Sequence, residues 1–204
     1  MIQEIVLAVA FSTLTSSVSA QEEEAEGMIV DLSESSPALH FPIGINGKQV
    51  PVVPAFEDYA FMLEDVCNAM ELTVEDGCNI FPMNADLGGN AIATVLEGNK
   101  VIVYDRQMSP DIGYEGAMAI MAHELGHHYC GHLSQKHAPS RELEADRFAG
   151  AAMRRSDMPL ESALAMAKFM DERPSRSHPA RVQRVNAFKA GWNDPDSAKA
   201  CKKS

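Results

Sequence analysis

The chain has 204 residues, of which 46% are hydrophobic, and this proportion is enough for a globular domain with a buried core. Its 29 acidic residues outnumber its 17 basic ones, which gives a formal net charge of −12. Such a charge argues against binding to nucleic acid or to an anionic membrane surface, so we expect neither partner.

The first 20 residues are predicted to be a secretory signal peptide. The short apolar run 5–11 precedes the small residues Val18, Ser19 and Ala20, a pattern typical of cleavage before Gln21. This signal is unusual because no Lys or Arg precedes the apolar run. The run is also too short to span a bilayer. We therefore expect a secreted or periplasmic mature protein without an integral membrane segment. Its oligomeric state is not indicated by the sequence.

The pattern of apolar residues predicts an α+β fold that is mainly helical, with a small antiparallel hairpin. An acidic lead-in, residues 21–54, precedes the folded domain, residues 55–204. A helix is predicted at 55–72, and two strands at 90–94 and 100–105 are joined by a turn. Four more helices are predicted: about 114–133, 140–155 with Ser140 as N-cap, 160–171, and 179–190 with Pro179 in the first turn.

Four cysteines in an exported chain indicate disulfides. Cys67 and Cys78 are the favoured pair because they are close in sequence, which leaves Cys130 with Cys201. Four cysteines permit three connectivities, so the alternatives stay open. A Cys130 thiolate is also a possible zinc ligand, although a buried or disulfide-bonded cysteine is the more common case.

The segment 119–133 contains the pattern H-E-x-x-H. His123 and His127 are four residues apart, which on a helix places both imidazoles on one face, where they can converge on one Zn²⁺. Glu124 points about 100° around the helix and can reach the attacking water. This arrangement is typical of zinc metalloproteases. A second pair with the same spacing, His128 and His132, lacks the glutamate and is interpreted as ordinary polar helix residues.

A catalytic zinc site needs a third protein ligand. The metzincin pattern is excluded because Leu133 stands where its third histidine would be. On the following helix, Glu142 can ligate the metal. Asp146, one turn further on, can accept the Nδ1–H of a ligand histidine. Glu144 is expected to point into solvent.

Three segments together resemble the M48 peptidases, gluzincins related to thermolysin: "AHELGHHYCGHL", "ELEADRFAGAAM" and "SHPARVQRV". The resemblance covers about residues 90–188. It implies a zincin-like catalytic domain with one Zn²⁺ per chain and the site residues already named: the ligands His123, His127 and Glu142, the general base Glu124, and the supporting carboxylate Asp146.

The same resemblance implies two further parts of the site. His178 matches a histidine that is either a donor to the developing oxyanion or an inhibitory ligand that closes the site. Otherwise it is a residue at the start of a helix. The hairpin segment "GNAIATVLEGNKVIVYD" is similar to the family's edge strand, which pairs with extended substrate. The substrate-binding residues would be Asn90, Ala91, Ile92 and Ala93.

The favoured function is that of a zinc metalloendopeptidase with protein or peptide substrates. Glu124 would take a proton from the attacking water and pass it to the leaving amine. An alternative is a zinc-binding, chaperone-like or quality-control protein with a self-inhibited site. A purely structural zinc domain is disfavoured because such a site needs no adjacent glutamate.

Overall fold

The computed structural model describes residues 39–43, 48–134 and 138–203. The predicted signal peptide and most of the predicted lead-in lie outside the described residues. None of the helices in the described part of the chain has the length and apolar character that crossing a membrane requires.

The predicted α+β class is confirmed, and five of the described segments form one sheet in the order β1-β2-β3-β5-β4. The strands are β1 (Leu39–Ile43), β2 (Lys48–Pro54), β3 (Phe81–Asn84), β4 (Ala91–Leu96) and β5 (Asn99–Tyr104). The predicted hairpin is β4 and β5, which are antiparallel. Glu97 and Gly98 join them with positive φ angles of 49° and 83°, as a type I′ turn requires.

The sheet is larger than predicted, and it is mixed rather than purely antiparallel. β3 runs parallel to β5, and β2 pairs with β3 through Val53 and Pro54. Residues of the predicted lead-in therefore contribute strands. No strand was predicted in β1, β2 or β3 because each contains proline, which has no N–H to donate to a neighbouring strand.

Five α-helices follow the predicted order: α1 (Glu57–Ala69), α2 (Met108–Tyr129), α3 (Pro139–Arg155), α4 (Leu160–Ala163) and α5 (Arg181–Asn193). The predicted N-cap Ser140 is wrong. Ala138 is the N-cap of α3, and Pro139 occupies the first helical position. Likewise, α5 begins after Pro179, where the Ala180 N–H donates to Gln183 Oε1.

The predicted helix 160–171 is mostly wrong. Only the four residues of α4 are α-helical, and Leu164–Phe169 form a 3₁₀ helix. Periodicity alone does not separate the two helix types over so short a segment, since their repeats of 3.0 and 3.6 residues differ little.

The long helix α2 has a break near its start and a sharp end. Gly113 adopts φ 78° and ψ 169°, so the regular helix begins at Tyr114 as predicted. The helix ends at Tyr129 instead of near Leu133, because Gly131 has a φ of 70° and turns the chain away. His132 consequently lies in a 3₁₀ turn, His132–Ser134, and not on the helix.

The core lies between one face of the sheet and the helices. Ile102 and Tyr104 of β5 belong to the same buried cluster as Met62 and Val66 of α1 and Leu125 of α2. A smaller cluster, which includes Val101 and Val103, forms on the other face of the sheet. Because α2 is buried without a break from Gly116 to Tyr129, the polar residues near its end lie inside the fold.

Both favoured disulfides are present, Cys67–Cys78 and Cys130–Cys201. Cys130 is therefore not a free thiolate, and the alternative that it ligates zinc is wrong.

Candidate metal centre

Two helices bring three potential ligand side chains together. His123 and His127 lie on one face of α2, and Glu142 reaches them from the first turn of α3. The two Nε2 atoms are 3.1 Å apart. Each lies 3.5 Å from a carboxylate oxygen of Glu142.

These separations fit a divalent metal ion. Four ligand atoms in tetrahedral geometry around Zn²⁺, at bond lengths of ~2.0–2.1 Å, would be about 3.3 Å from one another. Two imidazoles and one carboxylate are also a donor set that catalytic zinc sites use. All three side chains are buried at the wall of a cleft, which leaves a side of the group accessible.

Asp146 supports His123 from behind. Its Oδ1 lies 2.9 Å from His123 Nδ1, and the residue is fully buried. Burial disfavours the charged imidazole, but the Asp146 carboxylate outweighs it and raises the pKa of His123 to about 9. Burial also opposes ionisation of Glu142, yet the adjacent His123 lowers its pKa to about 2. His127 behaves differently, because burial lowers its pKa to about 2 and keeps the imidazole neutral.

Arg184 of α5 is a member of this cluster that the sequence did not reveal. Its Nε and Nη2 atoms each donate to a different oxygen of Asp146 at 2.8 Å. Nη2 also lies 3.3 Å from His123 Nε2 and 3.7 Å from Glu142 Oε2. A buried carboxylate such as Asp146 needs hydrogen-bond donors or a cation beside it, and this need was the available signal.

Glu124 lies next to the candidate ligands and contacts the sheet. Its Oε2 accepts a 2.6 Å hydrogen bond from the backbone N–H of Ala93 in β4. Burial raises its pKa to about 7. A carboxyl group with such a pKa can both accept and return a proton near neutral pH.

A cleft of about 490 Å³ connects these groups with the edge of the sheet. Its wall includes all the predicted site residues except Asp146, which lies behind His123: Asn90, Ala91, Ile92, Ala93, His123, Glu124, His127, Glu142 and His178. Among the described strands, β4 lies at the edge of the sheet beside the cleft.

His178 lies at the mouth of the cleft. Its side chain is 46% exposed, and its Nε2 atom is 3.7 Å from Glu142 Oε2. Its Nδ1 atom is 2.8 Å from Ser177 Oγ. The ring is therefore close to the candidate metal site without being buried in it.

The cleft also has an apolar side that was not predicted. It is lined by Ile120, one turn before His123, and by Met166, Phe169 and Met170 around the 3₁₀ helix. Apolar residues at helical spacing indicate a core as readily as a pocket, so the sequence carried no signal for this surface.

The loop before β4 is held by Asp105. Its carboxylate accepts hydrogen bonds from the N–H groups of Leu87, Gly89 and Gln107. Burial would raise the pKa of Asp105, but these hydrogen bonds outweigh it and lower the pKa. The cleft edge is therefore anchored by a buried charge.

The second histidine pair does not form a site of its own. His128 Nε2 contacts the Val101 carbonyl oxygen at 3.0 Å. His132 lies between His127 and Glu144, at 3.0 Å from each. The expectation that Glu144 is simply solvated is thus incomplete, since its side chain is 51% exposed but contacts His132.

Comparisons with known proteins identify the family. The Peptidase_M78 family model, described as an IrrE N-terminal-like domain, matches residues 75–183, more than half of the chain. No curated protein and no solved structure matches significantly. The family match confirms the broader prediction of a metallopeptidase-like domain, but it does not support M48 in particular. The chain belongs to the Peptidase_M78 family of IrrE N-terminal-like domains.

Proposed function

We propose that the protein is an exported, zinc-dependent endopeptidase. The observation that carries this proposal is the convergence of His123, His127 and Glu142 beside Glu124, at the wall of a cleft that an edge strand borders. A structural metal site would need neither an adjacent carboxyl group nor an open cleft.

In this proposal His123, His127 and Glu142 hold one Zn²⁺. When bound, zinc would lower the pKa of a water molecule and polarise the scissile carbonyl. Glu124 takes the proton from the attacking water and returns it to the leaving amine. The Ala93 N–H orients the Glu124 carboxylate for this task.

The edge strand β4 would bind the substrate backbone. Asn90, Ala91, Ile92 and Ala93 border the cleft, and an extended peptide can add to the open edge of a sheet. His178 would donate a hydrogen bond to the carbonyl oxygen as negative charge develops there. These roles follow the M48 resemblance residue by residue, and the positions of the side chains are compatible with them.

The proposed location is outside the cytoplasm. In this proposal residues 1–20 are a cleaved signal peptide. The lead-in that begins at residue 21 precedes β1, and the domain that carries the peptidase site includes β1 and β2 in addition to residues 55–204. Two disulfides support an oxidising compartment. The substrates would be proteins or peptides in that compartment.

Metal analysis and casein digestion of the purified mature protein test this function. The wild type should contain about one zinc per chain, and a chelator should abolish its activity. Glu142→Ala should lose zinc. Glu124→Gln should keep zinc while activity falls at least about a hundredfold, because an amide cannot accept the proton.

Glu115→Gln is a matched control, since this residue lies on the same helix and does not line the cleft. It should retain both zinc and activity. Full activity of Glu124→Gln, or full zinc content of Glu142→Ala, would contradict the proposed roles.

A further inference from the structure

A hydrogen-bonded chain leads from His127 to the surface of the protein. The His127 Nε2 atom faces His123 and Glu142, and its other ring nitrogen, Nδ1, lies 3.0 Å from His132 Nδ1. His132 Nε2 in turn lies 3.0 Å from Glu144 Oε2. His132 is buried, whereas the Glu144 side chain is half exposed.

Metal binding would fix the direction of both hydrogen bonds. If Nε2 of His127 binds a metal, the ring proton is on Nδ1, and His132 Nδ1 must accept it. The proton of neutral His132 is then on Nε2, from where it is donated to Glu144. An ionised carboxylate only accepts, so this assignment satisfies every atom in the chain.

The end of α2 is built in a way that allows this contact. On a continuous helix His132 would lie five residues from His127 and about 140° around the axis, so the two rings would not meet. The positive φ of Gly131 ends the helix and turns His132 back. Glu144 comes from α3, two residues after the candidate ligand Glu142.

We propose that His132 and Glu144 are positioning residues for the metal centre. They hold the His127 ring in the orientation and tautomer that a metal requires, and they make its Nε2 atom a stronger ligand for the metal. This inference rests on the proposed metal site. The two ligand histidines are then supported differently, His123 by the buried Asp146–Arg184 pair and His127 by a chain that ends in solvent.

Zinc affinity of the full chain tests the proposal, measured by competition with a chromophoric chelator. His132→Phe keeps a ring of similar size but has no nitrogen, and it should weaken zinc binding about 10- to 100-fold, the usual effect of losing such a partner. His128→Phe is the matched control, because His128 is equally buried but contacts the Val101 carbonyl and no candidate ligand. Its zinc affinity should stay close to that of the wild type.

Glu144→Gln provides a variant whose folding is not at risk, since the side chain is half exposed. Its amide oxygen still accepts the bond without carrying charge, so zinc affinity should fall less than in His132→Phe. Glu161→Gln, an exposed glutamate on α4, should have no effect.

The tautomer provides an independent measurement. Long-range ¹H–¹⁵N correlation spectra of the zinc-loaded protein should show His132 protonated on Nε2 and not on Nδ1. Protonation on Nδ1, or equal zinc affinity of His132→Phe and His128→Phe, would overturn the proposal.

A His123→Ala variant distinguishes a failure of this inference from a failure of the proposed metal site. If it loses zinc while His132→Phe does not, only this inference fails. If the wild type binds no zinc, the proposed metal site fails with it.

Discussion

At the residue scale, charge shows what a divalent cation would replace in this group of side chains. Three buried carboxyl groups, those of Glu124, Glu142 and Asp146, lie around the two candidate ligand histidines. Arg184 contacts two of them, Glu142 and Asp146. With its pKa raised to about 9, His123 carries a proton at neutral pH and, together with Arg184, offsets the charge of the adjacent carboxylates. A divalent ion bound to the histidines would displace that proton and supply positive charge in its place.

In the proposed function, the role of His178 distinguishes an active enzyme from a self-inhibited protein. Its ring is half exposed and 3.7 Å from Glu142, which favours a donor at the cleft mouth. We expect His178→Ala to keep zinc and to lose about 2.7–4 kcal/mol of transition-state stabilisation, measured as the fall in kcat for a peptide substrate. His40→Ala, an exposed histidine on β1, is the control. A clear rise in activity would instead support the alternative, a chaperone-like protein that His178 keeps closed.

The residues that could be predicted from the sequence are those whose geometry is local. His123, Glu124 and His127 are set by the spacing of one helix, and Glu142 with Asp146 by the spacing of the next. Arg184 and His132 could not be found in this way. Arg184 meets Asp146 because α5 packs against α3, and His132 meets His127 because Gly131 reverses the chain.

At the element scale, the difference between local and long-range contacts also separates the strands that could be predicted from those that could not. The β4–β5 hairpin was predicted because its turn residues and alternating pattern are contiguous. β3 pairs with β5, whose partner residues are about 20 positions away, and four residues with a proline gave no local signal. The consequence for function is that β3 occupies one side of β5, so β4 is left at the edge beside the cleft.

The alternating direction of the backbone N–H groups along β4 permits a test of how this strand orients Glu124. The Ala93 N–H points away from β5 and donates to Glu124, and the Val95 N–H points the same way because backbone direction alternates along a strand. Proline is tolerated at such edge positions. Ala93→Pro should leave zinc content unchanged but lower kcat/KM by roughly 10- to 150-fold, the equivalent of the 1.5–3 kcal/mol of a hydrogen bond to a charged group.

Val95→Pro is the control for this change. Val95 does not line the cleft, and its side chain is half exposed. Its kcat/KM should stay near that of the wild type, and both variants should melt at similar temperatures. An equal loss of activity in the two variants would mean that β4 is simply disrupted by proline and that the Ala93 hydrogen bond has no special role.

At the scale of the whole molecule, close helix packing holds the site together. A Cβ at Gly150 of α3 would overlap the Phe188 carbonyl of α5, and one at Gly191 of α5 would overlap the Arg147 carbonyl of α3. The two backbones can approach this closely only because both positions are glycine. This contact brings Arg184 against Asp146. It joins distant residues, so the spacing within either helix could not predict it.

The two disulfides should stabilise the molecule to different extents. Cys130–Cys201 links residues 71 positions apart, whereas Cys67–Cys78 links residues only 11 apart. A longer closed loop restricts the unfolded chain more. Replacing both cysteines of the Cys130–Cys201 bridge by alanine should therefore cost about 4 kcal/mol of unfolding free energy, and replacing those of the Cys67–Cys78 bridge about 3 kcal/mol. Urea denaturation of the zinc-free proteins without reductant measures both. Since Cys130 is two residues before His132, only the variant without the Cys130–Cys201 bridge should also bind zinc more weakly. A larger loss of stability from the Cys67–Cys78 variant would contradict the loop-length argument and indicate that local packing at that bridge dominates.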